Sequence, residues 1–433
     1  MPAATRRWPA SPGPTVRSAA MLSPAYSRVE RWATGASSTW PPPCCSIPTG
    51  SRYSTPSCAT CMMSCQGSRT PAPTGRNRRD EGEIMKRKER FLAALRREPV
   101  DRVPMFDFLF QKPMYETLIG RRPDGYNGRD AVECALSLEH DGVWLPFGGF
   151  SGFQPTQLDE KKYIDEWGTT YQQGEESWPI DAPIDYPIKS RSDLDAYVPP
   201  DPTLPGRDVQ IREAVAMEHD DIALLGGVLG PLTATWMLMG YESICFALYD
   251  DPSLITECCR IANEYNKEAA RRSVEAGCVG MWLSDDLGDS HSGFMSNEHF
   301  RQLVLPYIAE LAEYIDGLGV PVLLHSCGCI TQYLDDLAQT KIASIHPLQR
   351  TAGMDLRTVK ERYGDRFCLI GNVDSSRTLP YGSPADVEQE AKEAIETAAP
   401  GGGFVLASDH SLHDGIPVAN IVALRDAGLK YGG

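Results

Sequence analysis

Eight short apolar runs, VPMFDF, GVWLPF, IALLGGV, VGMWLSDD, VPVLLHSC, IASIHP, FCLIGNVD and FVLASDH, recur beyond residue 85 and constrain the fold more than any other feature. They lack the polar alternation of a strand with one wet face. Amphipathic helical segments separate most of them, among them TATWMLMGYESICFALY, PSLITECCRIANEYNKEAARRSVEAG, NEHFRQLVLPYIAELAEYIDGLG and ADVEQEAKEAIETAA. Strands apolar on both faces and alternating with helices imply a parallel sheet covered on both sides. About eight of them suggest a closed (β/α)8 TIM barrel.

The polar residues favour the barrel over an open sheet. Asp107, Asp285 and Asp286, His325 and Cys327, His346, Asn372 and Asp374, and Ser408 to His410 all fall where an apolar run stops. In a barrel those ends share one mouth, where active sites are built. The runs GGVLG and PGGGF lack the spacing of a dinucleotide fingerprint.

The chain before Met85 has another character. Residues 1–84 hold 12 of the 34 prolines and ten arginines against four acids, with no sustained apolar period. We expect a disordered Pro/Ser/Arg-rich tail there, with Met85 as the expected true start of translation. Its Cys58, Cys61 and Cys65 form a lone C-x-x-C pattern, weak as a metal signal. The expected barrel domain covers 85–433. It carries 32 basic against 54 acidic residues, which argues against a nucleic-acid partner. No apolar window is long enough to span a bilayer, and the N-terminus lacks a secretory apolar core, so a cytoplasmic protein is expected.

The run VPVLLHSCGCI carries the sharpest chemical signal. Residues i and i+2 on an extended strand end point the same way, so His325 and Cys327 can converge on one point. Zinc accepts such a mixture of nitrogen and sulfur ligands, and a catalytic site keeps one position open. His410, at the end of FVLA, is a reasonable third ligand. The competing reading is a chance H-x-C with a packed thiol. Cys329 is expected outside the site.

Asp285 and Asp286 are adjacent, so only one should face the mouth, as metal ligand, acid–base group or substrate acceptor. Asp107 is a further catalytic candidate. Asn372, Asp374 and His346 are candidates for substrate contact, although Asn372 can equally be a satisfied turn residue and His346 a packed core histidine. Gly371 would permit a close approach of backbone to ligand.

Several of these motifs occur together in order. MKRKERFLAALRREPVDRVP, SDDLGDSHSGFMS followed by FRQLVLPY, LLHSCG, and GNVD before PADVEQEAKEAI resemble the uroporphyrinogen decarboxylase superfamily. The resemblance covers Met85 to Gly433 and implies a (β/α)8 barrel. It implies one of two chemistries. Corrinoid-dependent methyltransferases use zinc held by H-x-C and a later Cys, where this chain has His410. They act with a corrinoid protein carrying methylcobalamin and with a small-molecule methyl donor or acceptor. True decarboxylases of the superfamily need no cofactor and carry an Arg-rich segment near their start; here that stretch reads FLFQKPMYETLIGRR. The expectation is zinc-assisted methyl transfer. The alternatives are cofactor-free decarboxylation of a porphyrinogen and a non-catalytic barrel that binds a tetrapyrrole or corrinoid.

Overall fold

The computed structural model describes residues 84–148, 154–174, 181–217 and 221–433. Every described residue lies in one compact unit, Asn77–Gly433. The expected tail up to residue 83, with its C-x-x-C pattern, lies outside the described residues.

Seven parallel strands form one sheet: β1 (Gly142–Pro146), β2 (Ala223–Leu229), β3 (Gly280–Ser284), β4 (Val322–His325), β5 (Ile342–His346), β6 (Cys368–Val373) and β7 (Phe404–Ser408). Their spatial order is their sequence order, and each pair is parallel. Burial on both faces is nearly complete, as in the all-buried Phe404–Ser408, which explains the missing polar alternation.

The eighth expected strand, VPMFDF, is not a full strand. Its segment meets β7 and the residues after it through isolated parallel bridges, Met105 to Leu406 and Leu109 to Leu412. On its other flank the Met105 carbonyl accepts from the Asp141 amide at 2.8 Å. The cause is local. Pro104 has no N–H to donate, and the Asp107 carboxylate accepts the Ser408 amide at 2.8 Å, as a ladder carbonyl would. Phe106 and Phe108 of this segment nevertheless share one buried cluster with Leu225, Trp282, Leu323, Ile370 and Val405 from five of the strands. The interior is packed with side chains.

Two expected helices are interrupted. TATWMLMGYESICFALY divides into Pro231–Met239 and Tyr241–Asp250. Gly240 between them has φ 78°, and a Cβ there would lie 2.6 Å from the Tyr186 ring, so the chain turns where only glycine fits. In the helical run after Ser296, Phe300–Val304 adopts π geometry before Leu305–Gly317. Pro306 cannot donate within an α-helical ladder, and the turn before it widens. The helix Pro384–Ala398 matches expectation. Ser383 and Asp386 form a capping box, and Val387, Ala391, Ala394, Ile395 and Ala398 make its buried stripe.

Between β1 and β2 lies a small antiparallel sheet of Thr156–Gln157, Lys162–Ile164, Thr170–Gln172 and Ala182–Asp185, which was not anticipated. Its strands are two to four residues long, too short to show a period. Tyr163 and Tyr171 are paired across it with ring centroids 5.3 Å apart.

The helix Arg87–Leu95 packs at the N-terminal ends of the strands. Its Lys88 amide donates to the Asp221 carbonyl just before β2. Its buried Arg90 reaches Asp101 at 2.6 Å and Asp141, the residue before β1, at 2.6 Å. Arg102 approaches the same Asp141 at 2.9 Å, and the Met105 amide donates to it at 2.8 Å. One carboxylate thus joins the first helix, the bridging segment and β1. Among the described residues no helix is long and apolar enough to cross a membrane.

Candidate metal centre

β3 ends at Ser284 and β4 at His325, and these residues are paired in register, so the loops that follow leave the sheet side by side. The Asp285 amide donates to the His325 carbonyl at 2.8 Å. The Asp285 side chain accepts from the Thr233 amide at 2.7 Å, in the first turn of helix Pro231–Met239. It needs Gly230 beneath it, where a Cβ would lie 2.1 Å from that of Asp285. Asp286 therefore faces the other way, its amide held by Thr233 Oγ1 at 2.8 Å.

The four residues H-S-C-G each have a task in bringing β4's loop to that carboxylate. Ser326 Oγ accepts the Leu287 amide at 2.9 Å. Gly328, φ 77°, lets the two loops touch, since a Cβ would lie 2.4 Å from the Gly288 carbonyl oxygen. The Cys327 amide donates to Asp286 Oδ1 at 2.9 Å. His325 Nε2 then lies 3.2 Å from Cys327 Sγ and 3.7 Å from Asp286 Oδ1.

Ligand atoms of Asp286, His325 and Cys327 lie within 4.8 Å of one another, and no other such group of three occurs among the described residues. Burial lowers His325 to about 4, opposed by Asp286, so near neutral pH its ring is uncharged. Burial, then the Asp286 carboxylate, holds the Cys327 thiol well above the ordinary cysteine range. A divalent cation would reverse that preference by stabilising the thiolate. Nitrogen, sulfur and carboxylate oxygen are a donor set zinc accepts, so the residues fit that ion.

The other expected site residues are placed differently. The His410 ring centroid stands 6.0 Å from that of His325, and Nδ1 is 2.9 Å from Ser411 Oγ; it borders the cluster but is not one of the close three. His346, on β5, lies behind His325 with the two Nδ1 atoms 2.8 Å apart. Asp107 is spent on β7, accepting Ser408 Oγ at 2.7 Å and its amide at 2.8 Å. Asn372 donates to the Leu348 carbonyl at 3.1 Å. Asp374 caps its own loop through the amides of Ser376 and Arg377, both at 2.8 Å. The close approach at Gly371 is to protein backbone, not to an open ligand space: a Cβ there would lie 2.3 Å from the Pro347 carbonyl oxygen. Cys329 lies outside the cluster, its Sγ 3.6 Å from Thr331 Oγ1. Thr233 and Ser326 were not singled out beforehand. Hydroxyls that serve backbone amides carry no spacing signal.

The buried Asp107 titrates in a way that can be measured. Burial raises it to about 7, against the hydrogen bonds from Ser408. An acid raised in the folded state contributes stability fully below its unfolded value, and that contribution fades as pH rises through the folded one. Asp107→Asn is therefore expected to gain on the parent chain as pH rises from about 4 to about 7. Paired urea midpoints across that range test this; a constant offset would show that Asp107 titrates normally.

A parallel α/β sheet whose chemistry-bearing side chains gather at its strand ends is an arrangement that many enzymes use. The chain belongs to the uroporphyrinogen decarboxylase (URO-D) family, an enzyme family whose model matches residues 168–431. It is 27% identical over 365 residues to a uroporphyrinogen decarboxylase of Alkalilimnicola ehrlichii, covering 78% of this chain and 93% of that one. It is 28% identical over 240 residues to the methylcobamide:CoM methyltransferase MtaA of Methanosarcina barkeri, covering 54% of this chain and 68% of that one. Among solved structures it is similar to a methyltransferase from Methanosarcina mazei, with TM-score 0.65 and 25% identity over 80% of this chain and 99% of that one.

Proposed function

We propose that the chain is a zinc-dependent methyltransferase that works with a corrinoid partner protein, moving a methyl group between the corrinoid and a small molecule. In this reading the seven strands and the segment Val103–Phe110 together make a (β/α)8 barrel in the cytoplasm, with the cluster at its mouth. The observation that carries it is the convergence of Asp286, His325 and Cys327 within 4.8 Å. The likeness to methyltransferases in sequence and structure supports it.

Zinc, when bound, supplies a Lewis acid that lowers the pKa of a nucleophile. His325 would offer Nε2 and Cys327 its sulfur, the thiol proton passing to the adjacent Asp286 carboxylate or to water. Asp286 would then act as ligand or proton acceptor. His410, with Nε2 left over by its Ser411 contact, would complete the site or meet the substrate.

One observation weighs against the decarboxylase and another keeps it in view. The Arg121 that follows the first segment is paired on the surface with Asp130 and Glu133, each at 2.6 Å, rather than standing as a carboxylate clamp at the cluster. Relatives named as uroporphyrinogen decarboxylases keep that activity, cofactor-free, as the second reading. Zinc content and methylcobalamin demethylation in the presence of small thiols separate the two. About one zinc per chain, with demethylation lost on chelation, is expected. A chain that takes up no zinc yet turns over uroporphyrinogen would overturn the proposal.

A further inference from the structure

His346 contacts none of the three close ligands except His325, and its position asks for a role of its own. Its ring is fully buried, its Nδ1 is 2.8 Å from Nδ1 of His325, and its Nε2 has no hydrogen-bond partner. Two ring nitrogens at that distance share one hydrogen, so one donates and the other accepts.

The two arrangements differ at the cluster. If His346 donates, His325 carries its own hydrogen on Nε2, the atom facing Cys327 Sγ and Asp286 Oδ1, and that atom has no lone pair for a metal. If His325 donates, its Nε2 lone pair faces the cluster, and the hydrogen of His346 sits on its buried Nε2.

The aromatic surroundings of His346 and its unpartnered Nε2 favour the second arrangement. The rings of Phe106, Phe108 and Trp282 stand at 89°, 76° and 76° to it, with centroids 6.2, 5.4 and 5.1 Å away. Aromatic faces are negative and attract an N–H edge, whereas they repel a lone pair. A buried nitrogen that has no polar partner is thus better off carrying hydrogen.

We infer that His346 is a positioning residue that locks His325 in the tautomer able to bind a metal through Nε2. The inference rests on the proposed zinc site and extends it to a residue outside the ligand set. A neutral histidine here does what carboxylates and backbone carbonyls commonly do for metal-bound histidines. Its ring is also large and rigid enough to hold the imidazole plane of His325, the two being tilted by 34°.

The test uses the full chain and zinc alone, with affinity read by competition against a chromophoric chelator. His346→Leu removes the acceptor and is expected to weaken zinc binding by about 10–100-fold. His346→Asn places an accepting oxygen near the lost Nδ1 and is expected to restore most of that loss. In the parent chain with 15N-labelled histidine, NMR of the zinc-loaded protein should show hydrogen on Nδ1 of His325 and none on Nδ1 of His346. A parent chain that binds no zinc overturns the zinc reading and this inference with it. A parent that binds zinc while His346→Leu binds equally well, or that carries hydrogen on Nδ1 of His346, overturns this inference alone. If His346→Leu does not fold, His346→Asn and the parent spectrum decide.

Discussion

Cys327→Ser is expected to weaken zinc binding by more than about 100-fold while the protein stays folded. Loss of a mere supporting contact typically costs about 10–100-fold in metal affinity, and a ligand atom counts for more. A serine hydroxyl does not ionise readily at neutral pH and replaces a soft sulfur with a poor oxygen ligand. The fold should survive because the loop is held through backbone and neighbours, by the Cys327 amide on Asp286 and Ser326 Oγ on Leu287. Cys329→Ser is the matched control, since its sulfur lies outside the cluster, against Thr331 and the core. Chelator competition reads the affinity and circular dichroism the fold. Because burial and Asp286 hold the Cys327 thiol up, zinc binding must release its proton, and affinity should rise with pH. Undiminished binding in Cys327→Ser would place the ion elsewhere.

The second large effect is expected far from the mouth. Asp141→Ala should destabilise the fold by about 3–5 kcal/mol, the cost of leaving buried charge without its partner. Asp141 is fully buried, and Arg90 and Arg102 both reach it, with side chains 5% and 17% exposed. Arg90 would keep Asp101, but Arg102 would lose its carboxylate and the Met105 amide its acceptor. Asp141→Asn should fall between parent and Ala, retaining an acceptor without the charge. Urea midpoints measure the series; a loss under about 1 kcal/mol for Ala would mean that water replaces the carboxylate, as at an exposed pair.

Much of this architecture was legible because burial on both faces leaves a plain signature in composition. Six of the seven strands fall within apolar runs, and β2 overruns its own by one residue, Leu229. The failures are local and physical. Pro104 and the Asp107 side chain replace ladder bonds in VPMFDF, which no apolar pattern reveals. Gly240 breaks a continuous apolar stripe because the Tyr186 ring packs against it, a contact made by a residue more than fifty positions earlier.

At the site, strand parity anticipated that His325 and Cys327 meet, although Cys327 lies just past the end of β4 and its loop contacts bring it there. Parity did not anticipate the choice between Asp285 and Asp286, because it separates neighbours without saying which is inward. That was decided by Thr233 and Gly230, on a different element. The pairing of His325 with His346 was hidden for the same reason: register between β4 and β5, which sets the two opposite each other, is a property of the folded sheet.

The three close ligands come from the ends of just two neighbouring strands, β3 and β4, whereas His410 arrives from β7, which has no ladder with either. Grip and reactivity are thereby divided between distant parts of the chain. In the proposed site two adjoining loops would carry the close set, and a change at the β7 position would act on it from a separate part of the chain. On that reading position 410 is where a single replacement would test the proposed chemistry while leaving Asp286, His325 and Cys327 untouched.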